Sequence, residues 1–276
     1  MNLSDFDVGE ARETVVLLHS SGSSSRQWSA LIDRLSPRYD MRAVDLHGHG
    51  AQPAWPGRPS LTLADEVMLV EPILREVGAV HLVGHSYGGA VAVKVAELYP
   101  QSVRSLVAYE PVLFRWLYDA DPDSDAARAV IEVAAAMRQA LHARSYRGAA
   151  RPFVDYWSGT GAWDAMPEPR RQTVAARMGS VLPHFDALLN DDRIATALHQ
   201  IEAPMLLLTG ASTVASTRCI GEMLRATLPR AEHVLLPGMG HMGPITHADA
   251  VNDRIAGFLQ SRTSERMSRR WLRAAA

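Results

Sequence analysis

The sequence predicts an α/β protein built on a mostly parallel sheet. Short apolar runs rich in β-branched residues recur at 14–18, 41–44, 80–83, 103–109, 205–208 and 233–236. Stretches with helical spacing separate most of them. Strands alternating with helices at this interval imply βαβ units, whose crossovers demand parallel pairing. One block, 112–199, breaks the rhythm and carries helical patterns without a convincing strand.

The elements follow in order. The run Thr14 to Leu18 is bounded by His19-Ser20-Ser21-Gly22 and reads as a buried strand and loop. Over 27–35, Trp28, Leu31, Ile32 and Leu35 are spaced for one helix face. The strand 41–44 runs into Asp45-Leu46-His47-Gly48-His49-Gly50, and 51–59 is a Pro/Gly-rich loop. A helix is expected over 62–77, with Asp65 and Glu66 in its first turn, where the dipole favours them. Strand 80–83, a helix to Leu98 and strand 103–109 follow. The insertion 112–199 is rich in alanine, arginine and large aromatics, with a clear helical run at 126–143. Alternation resumes with strand 205–208, helix 220–227, strand 233–236 and a closing helix 248–259. The basic stretch from Arg262 to Ala276 reads as a solvated or frayed end. The expected organisation is a core over 1–111 and 200–262, a helical cap over 112–199, and a basic tail over 263–276.

Composition bounds the function. With 276 residues, 47% of them hydrophobic, the chain suits one large α/β domain or a core with an insertion. A formal charge of -2 gives no sign of a nucleic-acid partner. Lys94 is the only lysine, so arginine carries the positive charge. The single cysteine, Cys219, cannot form an internal disulfide and points to a reducing, cytoplasmic setting with a packed thiol. The first thirteen residues are polar and acidic, with no apolar core of a secretion signal. No stretch is long and apolar enough to span a bilayer.

The chemistry concentrates at Gly84-His85-Ser86-Tyr87-Gly88, a G-x-S-x-G with a strand before it and a helix after it. A serine on such a tight turn is held at the sheet edge with its hydroxyl exposed. The next residue, Tyr87, opens a helix, so its N–H is free to meet developing negative charge. Ser86 is therefore the candidate nucleophile. A serine hydroxyl needs a base to take its proton. His241 lies in Gly238-Met239-Gly240-His241, on a glycine-rich loop after the strand 233–236, and its imidazole has the near-neutral pKa the task needs. His247 is a rival that sits where the closing helix begins. His47 and His49 resemble a metal pair, but no cysteine or carboxylate cluster accompanies them, and no metal or cofactor is assigned.

These four segments, His19 to Gly22, Asp45 to Gly50, Gly84 to Gly89 and Gly238 to His241, make the chain resemble the α/β-hydrolase superfamily from about Thr14 to Leu259. The resemblance implies the α/β-hydrolase fold with a helical cap, and a triad in the chain order nucleophile, acid, histidine. Most relatives place an aspartate after the strand corresponding to 205–208. That loop is Thr209-Gly210-Ala211-Ser212-Thr213-Val214-Ala215-Ser216 and holds no carboxylate. Some branches, haloalkane dehalogenases among them, place the acid at the end of the preceding core strand. On that pattern the acid is Glu110. The resemblance also places the oxyanion donors at the N–H of Ser21 and of Tyr87. It makes His19 and His85 structural. Relatives carry glycine where Ser20 stands, and an antiparallel strand pair ahead of Thr14, for which thirteen residues are too few. A sheet of about six strands is expected.

The cap aromatics Phe153, Trp157 and Trp163, with Met242 beside the histidine, are the candidate walls of an apolar substrate pocket. Arg115, Arg144, Arg147 and Arg151 are cationic groups of the insertion to which no role is assigned. The expected activity is cofactor-free hydrolysis of a small-molecule carboxylic ester with a small-to-medium apolar or aromatic acyl group. Thioester, lactone and carbon–carbon bond hydrolysis use the same triad and stay as alternatives. A catalytically weak ligand-binding relative is a further one, motivated by the vacant aspartate position. A serine at 86 argues against dehalogenase or epoxide hydrolase chemistry, whose nucleophile is a carboxylate.

Overall fold

The structure, a computed structural model, describes residues 12–191 and 198–274, with side chains through Ser264. Six strands form one sheet: β1 (Thr14–Leu18), β2 (Asp40–Val44), β3 (Val80–His85), β4 (Val103–Tyr109), β5 (Met205–Gly210) and β6 (Glu232–Leu236). Their order is β2-β1-β3-β4-β5-β6, and every pairing is parallel. The order reverses at β1 and β3, so the chain winds out from the middle. In such sheets the crevice at the carboxyl ends of the central strands is the place for a ligand.

Alternation along the strands divides the core. Val16 and Leu18 of β1 point into one cluster, with Leu82 of β3 and Leu106 of β4, against α2 (Leu63–Val77) and α3 (Tyr87–Leu98). Val15 and Leu17 point into the other, with Val83 and Val107, against α1 (Ser29–Leu35) and the closing helix. Both faces of the sheet are covered, which is why β1 reads as an apolar run from Val15 to Leu18 and β3 is buried along its whole length. Helix α2 begins with a capping box in which Thr62 and Asp65 exchange side chain-to-backbone hydrogen bonds. Asp65 serves there, whereas Glu66 turns inward and is fully buried.

Between β4 and β5 lie α4 (Phe114–Ala120), α5 (Asp125–His142), α6 (Tyr146–Ser158), α7 (Ala162–Ala165) and α8 (Glu168–Asn190). No strand occurs among the described residues of this stretch. After β5, α9 (Ala215–Thr227) starts earlier than the apolar spacing suggests, leaving only residues 211–214 as loop. A short α10 (Gly243–Thr246) precedes α11 (Ala248–Ala274). The frayed tail expected after Arg262 is corrected by this helix, which continues to Ala274. Residues 260–274 contain no glycine or proline to stop it, and Arg, Glu, Met and Leu are good helix formers. No described helix is long and apolar enough to cross a membrane.

Candidate active site

The turn at Ser86 explains its own sequence. Ser86 sits at φ 56, ψ -118, outside the regions that L-residues favour, between the end of β3 and the first residue of α3. A Cβ on Gly84 would lie 2.3 Å from the Gly88 carbonyl oxygen, and one on Gly88 would lie 2.4 Å from that of Leu18. Glycine is obligatory at both, because strand and helix backbones touch. The N–H of Tyr87, at the first position of α3, has no acceptor within the helix.

The structure brings Ser86, His241 and Glu110 together, all three buried. Ser86 Oγ lies 2.8 Å from His241 Nε2, and His241 Nδ1 lies 2.7 Å from Glu110 Oε2. Since a carboxylate only accepts, Nδ1–H donates to Glu110, Nε2 is left as acceptor, and the serine hydroxyl donates to it. Glu110 follows β4 at φ 44, itself an unusual backbone position. Its carboxylate also accepts from the Gly210 N–H at 2.8 Å and the Thr213 hydroxyl at 2.7 Å. The loop after β5, which carries no carboxylate of its own, thus cradles the carboxylate that β4 supplies. Adjacent pairing of β4 and β5 makes this reach short.

The loop Ser20-Ser21-Gly22 is tied down at nearly every polar group. Ser20 donates to Gln27 Oε1 from both its N–H and its hydroxyl. Its carbonyl accepts from His19 Nδ1–H at 2.8 Å, and His19 Nε2 accepts from the Leu46 N–H. The Gly22 N–H donates to His49 Nε2 at 2.9 Å, and the Gly22 carbonyl accepts from Arg177 on α8. The Ser21 hydroxyl lies 2.9 Å from His184 Nδ1. Among the described residues the Ser21 N–H alone in this loop has no acceptor, and Ser21 lines the same cavity as Ser86 and Tyr87. Gln27 also donates to His85 Nδ1, whose Nε2–H donates to the His241 carbonyl at 2.8 Å. The Ser20-Ser21-Gly22 loop and the His241 loop are therefore joined through the half-buried Gln27 and the buried His85.

Desolvation by burial holds several of these imidazoles neutral. It pushes His184 down to about 3 and His19 and His49 down to about 4, and it also lowers His85. Neutrality is what the geometry needs, because each ring uses one nitrogen as an acceptor. His49 is thereby occupied by Gly22 and the His47 carbonyl. Among the described residues no three His, Cys, Asp or Glu side chains are grouped to hold a metal ion.

A cavity of ≈ 300 Å³ opens above Ser86 and His241. Phe153, Trp157 and Met242 line it, as expected from the sequence, together with Phe114, Phe185 and Leu188. Trp157 lies flat on His241, with ring centroids 3.8 Å apart and planes at 20°. Trp163 is corrected: it does not line the cavity. Its backbone N–H donates to the Asp155 carboxylate where α7 folds back on α6, and its ring is buried in the core.

The sequence profile of the alpha/beta hydrolase family matches residues 15–254. The chain belongs to that family. It is 26% identical over 263 residues to the pimeloyl-[acyl-carrier protein] methyl ester esterase of Yersinia enterocolitica, covering 91% of this chain and 95% of that one. With the protein of the same description from Chromobacterium violaceum it shares 29% identity over 265 residues, 95% and 99% of the two chains. Among solved structures, a hydrolase from Pseudomonas aeruginosa superimposes with a TM-score of 0.70 at 26% identity, over 91% of this chain and 92% of that one.

Among the cavity-lining residues of this alpha/beta hydrolase that escaped the sequence reading are its two arginines and a second histidine, Arg170, Arg177 and His184, all on α8. Nothing in the spacing marks them, because α8 is an undistinguished helical run until it is packed over the site. His184 stacks on the Tyr87 ring at 3.8 Å and approaches Glu66 at 3.4 Å, while the Tyr87 hydroxyl donates to Glu66. The fold thus packs one buried polar cluster against the Ser20-Ser21-Gly22 loop of this hydrolase.

Proposed function

We propose that this hydrolase cleaves a carboxylic ester through an acyl-enzyme, with Ser86 as nucleophile, His241 as base and then acid, Glu110 as the orienting carboxylate, and the N–H groups of Ser21 and Tyr87 as the oxyanion hole. The observation that carries the reading is the unbroken run of short hydrogen bonds from Ser86 Oγ through His241 to Glu110. Curated relatives described as methyl ester esterases support the ester as the bond class. In this reading the described residues of 112–199 form a lid and the rest of the described chain the catalytic core.

The steps follow from the geometry. Ser86 Oγ attacks the ester carbonyl carbon as its proton passes to His241 Nε2. Glu110 stabilises the imidazolium that results and fixes Nδ1 as the protonated nitrogen. The carbonyl oxygen becomes an oxyanion and meets the two backbone donors, each worth roughly 3 kcal/mol of barrier. Collapse breaks the C–O bond, and the alkoxide leaves with the proton from Nε2. A water then repeats the sequence on the acyl-enzyme, giving the carboxylic acid and the free serine. The apolar wall of Phe114, Phe153, Trp157 and Phe185 suits an apolar or aromatic acyl chain.

The ligand-binding alternative rested on the missing aspartate. Glu110, hydrogen-bonded to His241, removes that motive. Hydrolysis of p-nitrophenyl acyl esters of graded length tests the proposal. Turnover with a stoichiometric burst, abolished in Ser86→Ala, is expected. Turnover that survives Ser86→Ala would overturn it.

A further inference from the structure

The cavity wall contains two arginines, Arg170 and Arg177, and no aspartate or glutamate. The rest of the lining is chiefly apolar, with serines, threonines, two histidines and Tyr87 as the remaining polar side chains. Elsewhere most arginines of the insertion meet its own carboxylates, the exposed Arg144 being the exception among the described residues. Arg115 pairs with Asp119 at 2.8 Å, Arg147 with Glu168 at 2.6 Å, and Arg151 with Asp164 at 2.6 Å. Arg138 pairs with Asp186, and Arg171 approaches Glu168. Neither Arg170 nor Arg177 has a carboxylate within 4 Å among the described residues. The four arginines singled out in the sequence, Arg115, Arg144, Arg147 and Arg151, are absent from the lining.

Arg177 is the more telling of the two. It is half-buried, and one terminal N–H group is spent on the Gly22 carbonyl, next to Ser21. That bond fixes the guanidinium beside the oxyanion loop and leaves further N–H donors of its planar fork without a protein acceptor among the described residues. A partly desolvated cation facing an apolar cavity is unfavourable unless an anion meets it. Arg170 lies about two turns earlier on α8, exposed, and extends the positive side of the wall toward solvent.

We propose that the substrate is amphipathic: an ester whose apolar body fills the aromatic cavity and whose far end carries an anionic oxygen group, a carboxylate or a phosphate, held by Arg177 with Arg170 outside it. This rests on the hydrolase reading of Ser86 and narrows its substrate class. A guanidinium fork takes either anion through paired, charge-assisted hydrogen bonds, so the chemistry is shared and the source is a matter for the test.

The experiment compares three esters with one acyl chain and one leaving group, ending in a carboxylate, a phosphate monoester or a neutral methyl ether that cannot itself be hydrolysed. The readout is the ratio of kcat/KM for each anionic ester to that for the neutral one. Any general loss from disturbing the Gly22 contact is common to all three and cancels in the ratio. For the unaltered protein a ratio of about ten to one hundred is expected for at least one anion, falling as salt is raised. In Arg170→Gln/Arg177→Gln it should drop toward one, and Arg177→Lys should retain part of it. The anion that gives the larger ratio identifies the source. A ratio near one in the unaltered protein, or a ratio that survives the double glutamine variant, overturns the proposal. Should none of the esters be cleaved, the hydrolase reading fails separately. Calorimetric binding of the carboxylate and phosphate esters to Ser86→Ala then decides the anion site: binding weakened tenfold by Arg177→Gln supports it, and no binding of either anion overturns it.

Discussion

The indole of Trp157 lies against the imidazole of His241 at a centroid distance of 3.8 Å, nearly parallel to it. A residue of the insertion between β4 and β5 therefore touches the imidazole that the loop after β6 supplies as the proposed base. The stack shields one face of the imidazole from water, and an aromatic face attracts the ring once it becomes a cation. Trp157→Leu should lower kcat/KM by about three- to thirtyfold, the equivalent of roughly 0.5–2 kcal/mol. Trp157→Phe should lose less. Steady-state kinetics on one p-nitrophenyl ester checks the order; equal rates for all three proteins would show that the stack is idle.

Glu110 reaches His241 from the end of β4 and is cradled by Gly210, the last residue of β5, and Thr213 of the loop after it. Without the carboxylate, His241 loses its tautomer control and the partner of its charged form. Glu110→Gln should cut kcat by on the order of 10²–10⁴ with KM little changed. Thr213→Val removes one donor to the carboxylate and should cost about tenfold or less. Wild-type turnover in Glu110→Gln would strip this residue of its role.

Much of this architecture was legible in the residues. Six apolar runs gave six strands: β1, β3, β4 and β5 are buried on both faces, the edge strands β2 and β6 only in part, and short apolar runs bounded by turns have few other readings. Ser86 was legible because Gly84 and Gly88 are the residues a backbone-to-backbone contact demands. Glu110 came from a resemblance and from a gap, the loop without an acid. What stayed hidden depended on packing between distant segments. Arg177, His184 and Glu66 lie on helices whose spacing says nothing about which side chain faces the cavity or the oxyanion loop. Trp163 looked like a pocket aromatic by composition, and only the fold-back of α7 onto α6 takes it away. The tail was misjudged on its charge, although it lacks any residue that ends a helix.

The buried imidazoles give the protein an acid limit. His19 and His49 are pushed down to about 4 and His184 to about 3, against an unfolded value near 6.5. Below pH 6.5 the unfolded chain binds protons at these sites and the native chain does not, so stability falls as pH falls. Each histidine contributes a slope of up to about 1.4 kcal/mol per pH unit between roughly pH 6.5 and 4. Thermal unfolding should therefore show a steep loss of Tm on going from pH 7 to pH 5. A flat Tm across that range would mean the rings are not held neutral.

The elbow glycines should be intolerant of the smallest side chain. In Gly88→Ala the new methyl would press on the Leu18 and His19 carbonyls at 2.4 and 2.5 Å, which are backbone atoms and cannot rotate away. Loss of soluble protein, or a Tm lower by many degrees, is expected from a strain of about 3 kcal/mol or more. A normally folded, fully active Gly88→Ala would contradict the close approach of strand and helix.

The most direct measurement is the intact mass of the protein quenched seconds after mixing with a p-nitrophenyl ester. The account predicts one acyl adduct, mapped by digestion to the peptide containing Ser86, absent from Ser86→Ala and persisting longer in Glu110→Gln. Release of p-nitrophenol at an undiminished rate from Ser86→Ala, or an adduct on any other residue, would contradict it.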